Sequence, residues 1–138
     1  MNKKKSEYIN KTIEQLENDY WPPAIGETFL ITRCTELRKK KLKDFTIEDL
    51  RIMIGQSIGL KYLMPIAIEK LHENPMVLGD FYPGDLLQSV LKREIEYWNS
   101  NKDFWQKIYQ IIKEIDFEGQ KIKFDLTKFK SSKWNKNH

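Results

Sequence analysis

The chain has 138 residues, with 24 Lys/Arg against 20 Asp/Glu, 40% hydrophobic residues and four tryptophans. That length suits one domain able to bury roughly two-thirds of the surface its unfolded form exposes, and the dense, mixed charge argues against a membrane-embedded chain. The lone cysteine, Cys34, excludes an internal disulfide and agrees with a reducing compartment.

In chain order, Ser6 to Asn18 predicts a first helix, with Ile9, Ile13 and Leu16 on one stripe. Trp21-Pro22-Pro23 stops it, because residues before proline are pushed toward extended geometry. Thr28 to Lys39 predicts a second helix, its apolar face built from Phe29, Leu30, Arg33, Cys34 and Leu37. The run Arg38-Lys39-Lys40-Lys41 reads as a solvated helix end, where cations suit the negative pole of the dipole. Thr46 followed by Glu48 and Asp49 is a helix start: a hydroxyl cap with acids in the first turn. Gly55 to Gly59 interrupts that helix or lets another pass close to it, and Leu60 to His72 follows as a very apolar element, with Met64 in the core and Pro65 marking a kink or a new start.

After the Asn74-Pro75 loop comes GDFYPGDLLQSVLKREIEYW, from Gly79 to Trp98. It reads as a turn, with Pro83 at the first helical position and Asp85 in the first turn. One helix then follows with Leu86, Leu87, Val90, Leu91, Ile95 and Trp98 on its buried stripe. Asn101 is placed to cap a last long helix reaching Asp116, with Phe104, Trp105, Ile108, Ile111, Ile112 and Ile115 inward. Phe117 to Phe124 allows a short β-hairpin, and KFKSSKWNKNH reads as a frayed basic tail. The expected architecture is an all-α compact bundle of five to six helices. It forms one domain over residues 1–138, with about 117–138 peripheral.

Signals for chemistry are sparse. Gly55-x3-Gly59 lacks the lysine and hydroxyl residue of a phosphate loop, and there is no Cys/His spacing for zinc, so no catalytic, cofactor or metal residue is assigned. Cys34 is expected to be a buried, inert thiol. His72 sits at a helix C-terminus, and His138 is the last residue. Asp80 and Asp85 are the best carboxylate pair for a hydrolase, which needs two about 5 to 10 Å apart. Their positions around Pro83 also fit a helix start. Phe45 to Leu71 has the outline of a helix-turn-helix, but its second helix offers Tyr62, Leu63, Met64 and Ile66, which belong in a core and not against base edges.

Charge is uneven. Residues 1–43 hold ten Lys/Arg against six Asp/Glu, residues 44–99 hold five against nine, and residues 100–138 hold nine against five. A nucleic-acid reader concentrates positive charge on its structured reading element, and this chain does the reverse. No stretch approaches the ~20 apolar residues a spanning helix needs. Glu7, Asn10 and Lys11 stand where a signal peptide carries its apolar stretch. A cytoplasmic location is expected.

The middle of the chain resembles the immunity proteins of bacterial contact-dependent growth inhibition systems. The resemblance covers about residues 20–105. It is carried by Trp21-Pro22-Pro23, Arg33-Cys34-Thr35-Glu36-Leu37-Arg38-Lys39-Lys40, FTIEDLRIMIGQSIGLKYLMPIAIEKL, Asn74-Pro75 and GDFYPGDLLQSVL. It implies a cytosolic, non-catalytic helical protein without cofactors, monomer or homodimer when free. Such a protein binds the toxic C-terminal domain of a cognate effector, often a nuclease, and has no direct nucleic-acid or membrane partner.

A nuclease presents basic surface to phosphates, and an inhibitor can match it with carboxylates. Glu69, Glu73, Asp80 and Asp85, with Tyr82 as an aromatic anchor, are the candidate toxin-binding residues. The alternative function is a small nucleic-acid-binding regulator, motivated by a sequence pI near 9.0 and the basic ends.

Overall fold

A computed structural model describes residues 8–136, and among them it contains helices and turns but no sheet. The helices are α1 (Ile13–Glu17), α2 (Phe29–Leu37), α3 (Ile47–Gly55), α4 (Leu60–Glu73), α5 (Asp85–Leu91), α6 (Ile95–Asn99), α7 (Lys102–Ile112) and α8 (Thr127–Lys130), with a 3-10 turn at Leu42–Asp44. The all-α architecture is as expected. The elements are shorter and more numerous because two expected helices are broken and the tail supplies another.

The helix expected over Ser6 to Asn18 begins outside the described residues, and within them only Ile13–Glu17 belongs to α1. Thr12 starts it through a reciprocal capping box: Gln15 N–H donates to Thr12 Oγ1 and Thr12 N–H to Gln15 Oε1. The backbone just before it pairs elsewhere, with Leu42 N–H donating to Lys11 O and Lys43 N–H to Ile9 O.

Helix α2 starts at its Thr28 cap, but Phe29 and Leu30 lie outside, so only the Cys34 and Leu37 part of its expected face is buried. Burial pushes the Cys34 thiol pKa up, as an inert core cysteine requires.

The basic run after α2 is solvated as expected only at Lys41; its other three cations form a clamp. Arg38 is 2% exposed, donates to Glu17 Oε1 at 2.6 Å, and lies 4.3 Å over the Trp21 ring. Lys39 Nζ reaches the buried Glu14 at 2.7 Å, and Lys40 Nζ reaches the buried Asp49 at 2.6 Å. Asp49 also accepts from Arg33 at 2.9 Å while completing the Thr46 capping box of α3. Burial alone would raise the Asp49 and Glu14 pKa values. The lysine and backbone N–H bonds more than offset it, so both carboxyls lie below their usual range. Acids nine to 25 residues away in sequence outweigh the helix dipole in placing these cations.

Helices α3, α4 and α5 form the centre, and α7 packs on α4. Leu50, Met53, Leu63, Met64, Leu87 and Val90 are fully buried there. Helix α4 runs unbroken through Pro65.

The single helix expected from Asp85 to Trp98 is instead α5 and α6. The chain turns at Lys92–Glu94, where Arg93 donates to Ser89 O at 2.9 Å and to Ser57 Oγ at 2.7 Å. Asn101 precedes α7 but does not cap it; its amide donates back to Tyr97 O at 2.7 Å.

Residues 117–124 do not pair as a hairpin. Gln120 N–H closes a turn on Phe117 O, and the Gln88 side chain holds both Lys123 O at 3.0 Å and Asp125 N–H at 2.9 Å. The basic tail is docked rather than frayed across its described part. Phe129 is 1% exposed and stacks on Trp105 at 4.9 Å, and its carbonyl accepts the Trp105 indole N–H at 2.9 Å. The Trp134 indole donates to Trp98 O at 2.7 Å. His138 lies outside the described residues.

Candidate functional site

Two surfaces gather functional side chains: the α4–α5 loop with the outer side of α3, and a groove between α4 and α7.

The loop, residues 74–84, is shaped by Asp85. This residue opens α5 with Gly84 before it at φ +91, so Pro83 stands ahead of the helix and not at its first position. Asp85 is 2% exposed and turns its carboxylate back into the loop, accepting from Gly79 N–H at 2.7 Å and Phe81 N–H at 3.0 Å. Gly84 N–H donates to Val77 O, and Leu78 pairs with Pro83 in an isolated bridge.

From α3, Glu48 Oε1 accepts Asp80 N–H at 2.9 Å and Arg51 Nε–H at 2.7 Å. The Arg51 guanidinium in turn lies 4.6 Å over the Phe81 ring. Glu48 holds that guanidinium in its charged form, raising its pKa against some burial, and Asp85 and Asp80 add to the effect. One glutamate thus ties together a loop backbone, a cation and an aromatic ring.

Gly79 and Gly84 are required by space. A Cβ at Gly79 would stand 2.7 Å from Glu48 Oε1, and one at Gly84 would stand 2.6 Å from Phe124 Cζ. The loop therefore has a single well-supported shape, and it holds outward two large apolar side chains, Leu78 at 55% and Phe81 at 69% exposure.

The groove is about 1200 Å³ and is lined from α4 by Tyr62, Pro65, Ile68, Glu69 and His72, and from α7 by Phe104, Lys107 and Ile111. The sequence pattern gave no sign of it. It brings Glu69 beside the exposed His72 in a mainly apolar trough rimmed by Lys11, Lys61 and Lys107. Among the described residues no group of three or more His, Cys, Asp or Glu is placed to hold a metal ion.

The sequence-predicted residues fall in different places. Asp80 is exposed on the loop, Tyr82 is half-buried beside it, and Asp85 lies beneath it as its support. Glu73 is exposed at the end of α4, and Glu69 belongs to the groove. Asp80 and Asp85 share the loop, but the Asp85 carboxylate is occupied by backbone N–H groups, the arrangement of a turn. Glu48, Arg51 and Phe81 were missed. The available signal was the Glu48/Arg51 spacing of three on a helix together with an aromatic residue set between glycines.

The family model described as CDI immunity proteins matches residues 15–108. The chain belongs to that family. No curated protein and no solved structure matches it. The matched span of this CDI immunity protein contains the clamp except for Glu14, together with α3 to α6 and the whole 74–84 loop. It ends within α7, so the docked segment 126–136 lies outside it. No described helix of this CDI immunity protein is long and apolar enough to cross a membrane.

The loop's shape has a direct test in this CDI immunity protein. Gly84→Ala combines a left-handed φ with a clash against Phe124 and Met76, so we expect a loss of about 1–3 kcal/mol. The measurement is the urea midpoint against that of Gly26→Ala, whose φ is +73 but whose added Cβ meets nothing within 4 Å. Equal losses would assign the whole effect to backbone strain and none to packing.

Proposed function

We propose that this CDI immunity protein binds a cognate toxin domain in the cytosol and neutralises it without catalysis, and that the toxin is a nuclease with a basic substrate surface. Membership of the immunity family is the observation that carries the first part. The charge pattern supports the second: four carboxylates in excess over residues 44–99 suit a partner built to attract phosphates. The proposed contacts are the outward carboxylates Glu69 and Glu73 on α4 and Asp80 on the loop, with Tyr82 near Asp80 and Asp85 holding the loop. A single, buried cysteine suits a reducing cytosol.

The test is co-expression with the toxin domain encoded immediately upstream. A stable complex and protected cells are expected, with association slowing as salt screens opposite potentials. Neither complex nor protection would reject the proposal.

A further inference from the structure

Leu78 and Phe81 stand out because the loop has no need to expose them. The core buries Met53, Leu63, Leu87 and Trp98 completely, and the large apolar side chains left outside gather mainly here and around the start of α2. Here two apolar side chains face water from a segment whose Gly79, Asp80, Phe81 and Gly84 N–H groups are all bound within the protein. One face of the Phe81 ring is covered by Arg51, which is fixed by its two-pronged pairing with Glu48.

An aromatic ring backed by an arginine and held in one geometry is the composition of a binding hot spot. Because the loop is already ordered, association loses little conformational freedom there. The immediate surroundings are acidic: Glu48, Asp80 and Asp85 surround the single positive charge of Arg51.

We infer that the loop tip Leu78–Tyr82 is the principal anchor for the toxin domain, with Phe81 entering an apolar recess bordered by Lys or Arg side chains of the toxin. This rests on the toxin-binding reading above and adds to it the anchoring residue and the chemistry of the surface that receives it. Asp80 meets the recess's basic border. Glu48 and Arg51 position the ring without entering the recess.

The other exposed apolar cluster, Ile25, Phe29 and Ile31 around the start of α2, provides an internal comparison. It is as hydrophobic as the loop tip. It too carries an acid, the exposed Glu27 between Ile25 and Phe29, but among the described residues no cation stacks on the Phe29 ring as Arg51 does on Phe81.

The experiment measures binding of the full chain to a catalytically inactive form of the toxin domain encoded immediately upstream. Wild type, Phe81→Ala, Asp80→Lys and Phe29→Ala are compared, with a thermal melt of each. Phe81→Ala is expected to weaken binding by about 30-fold or more, the scale of a hot-spot residue, with an unchanged melt because the ring is mostly exposed. Asp80→Lys is expected to slow association and flatten its salt dependence, since the Asp80 backbone bond to Glu48 survives the substitution. Phe29→Ala is expected to bind as wild type does.

Wild-type affinity in Phe81→Ala, or a loss confined to Phe29→Ala, would overturn the assignment of the loop while leaving toxin binding intact. Failure of the wild-type chain itself to bind would instead remove the functional reading, and the loop assignment with it.

Discussion

Trp98→Ala is expected to lower the unfolding free energy by about 3–5 kcal/mol, the range for truncating a large buried aromatic side chain. Against a typical total of about 5–15 kcal/mol, that loss removes a large share of the stability of the fold. Trp98 is fully buried, meets Phe129 edge-on at 5.0 Å, and offers its carbonyl to the Trp134 indole. It is the surface on which the docked segment rests.

The Trp98 indole N–H has no hydrogen-bond partner, so burying it works against the gain from the ring. Trp98→Phe removes that donor and keeps an aromatic ring, and a smaller loss of about 1–2 kcal/mol is expected. Urea unfolding followed by circular dichroism compares the two. A loss below about 1 kcal/mol in Trp98→Ala, within the range of surface substitutions, would show that residues 126–136 do not depend on this ring.

The second large effect belongs to Asp49. Asp49→Ala removes the acceptor of the Thr46 N–H, one half of the capping box, while Thr46 Oγ1 keeps its bond to the backbone N–H of residue 49, and it strips Arg33 and Lys40 of their shared carboxylate. Breaking a fully buried pair costs about 3–5 kcal/mol. Arg33 and Lys40 are each about one-third exposed, so they regain water and the whole substitution is expected to cost about 2–3 kcal/mol. Asp49→Asn retains an acceptor for the Thr46 N–H and should cost less.

The same site contributes to the acid limb of stability. The folded Asp49 and Glu14 carboxyls sit below their unfolded values, so protons bind the unfolded chain more readily. Their contribution is complete above the ordinary carboxylate range near pH 4 and drains away as pH falls through the lower folded values. Urea midpoints measured from about pH 7 down to about pH 2 should decline more gently in Asp49→Asn than in wild type. Identical slopes would mean that the clamp carries no net charge coupling.

Where local pattern and tertiary packing agree, the sequence was legible. Leu60 to Leu71 repeats apolar residues at helical spacing and became α4, and Thr46 became the expected cap, with Asp49 adding the reciprocal bond of a capping box. The break between α5 and α6 was hidden because Leu91, Ile95 and Trp98 keep the helical phase across it. The turn is made by Arg93 reaching Ser57, a partner 36 residues away. The tail was misread for a related reason. It holds few apolar residues and no period, and it is fixed by two aromatic side chains and by side-chain bonds such as Lys133 N–H to Asn99 Oδ1.

At the candidate site, Asp80 and Tyr82 were legible as loop residues. The Glu48–Arg51–Phe81 link was not, because it joins α3 to a loop whose Asp80 lies 32 residues beyond Glu48, and no single-sequence rule places those together. The groove beside His72 was hidden likewise, since its walls come from separate helices.

The docking of Phe129 and Trp134 also has a consequence in time. A growing polypeptide makes the indoles of Trp98 and Trp105 well before the residues that cover them. Until α8 and the residues just after it dock, that end of the body is a socket without its plug, with greasy aromatic surface uncovered. Such an interval is when nascent chains self-associate or are held by chaperones. The aromatic side chains at that end reach their final environment only once residues 126–136 have docked on them.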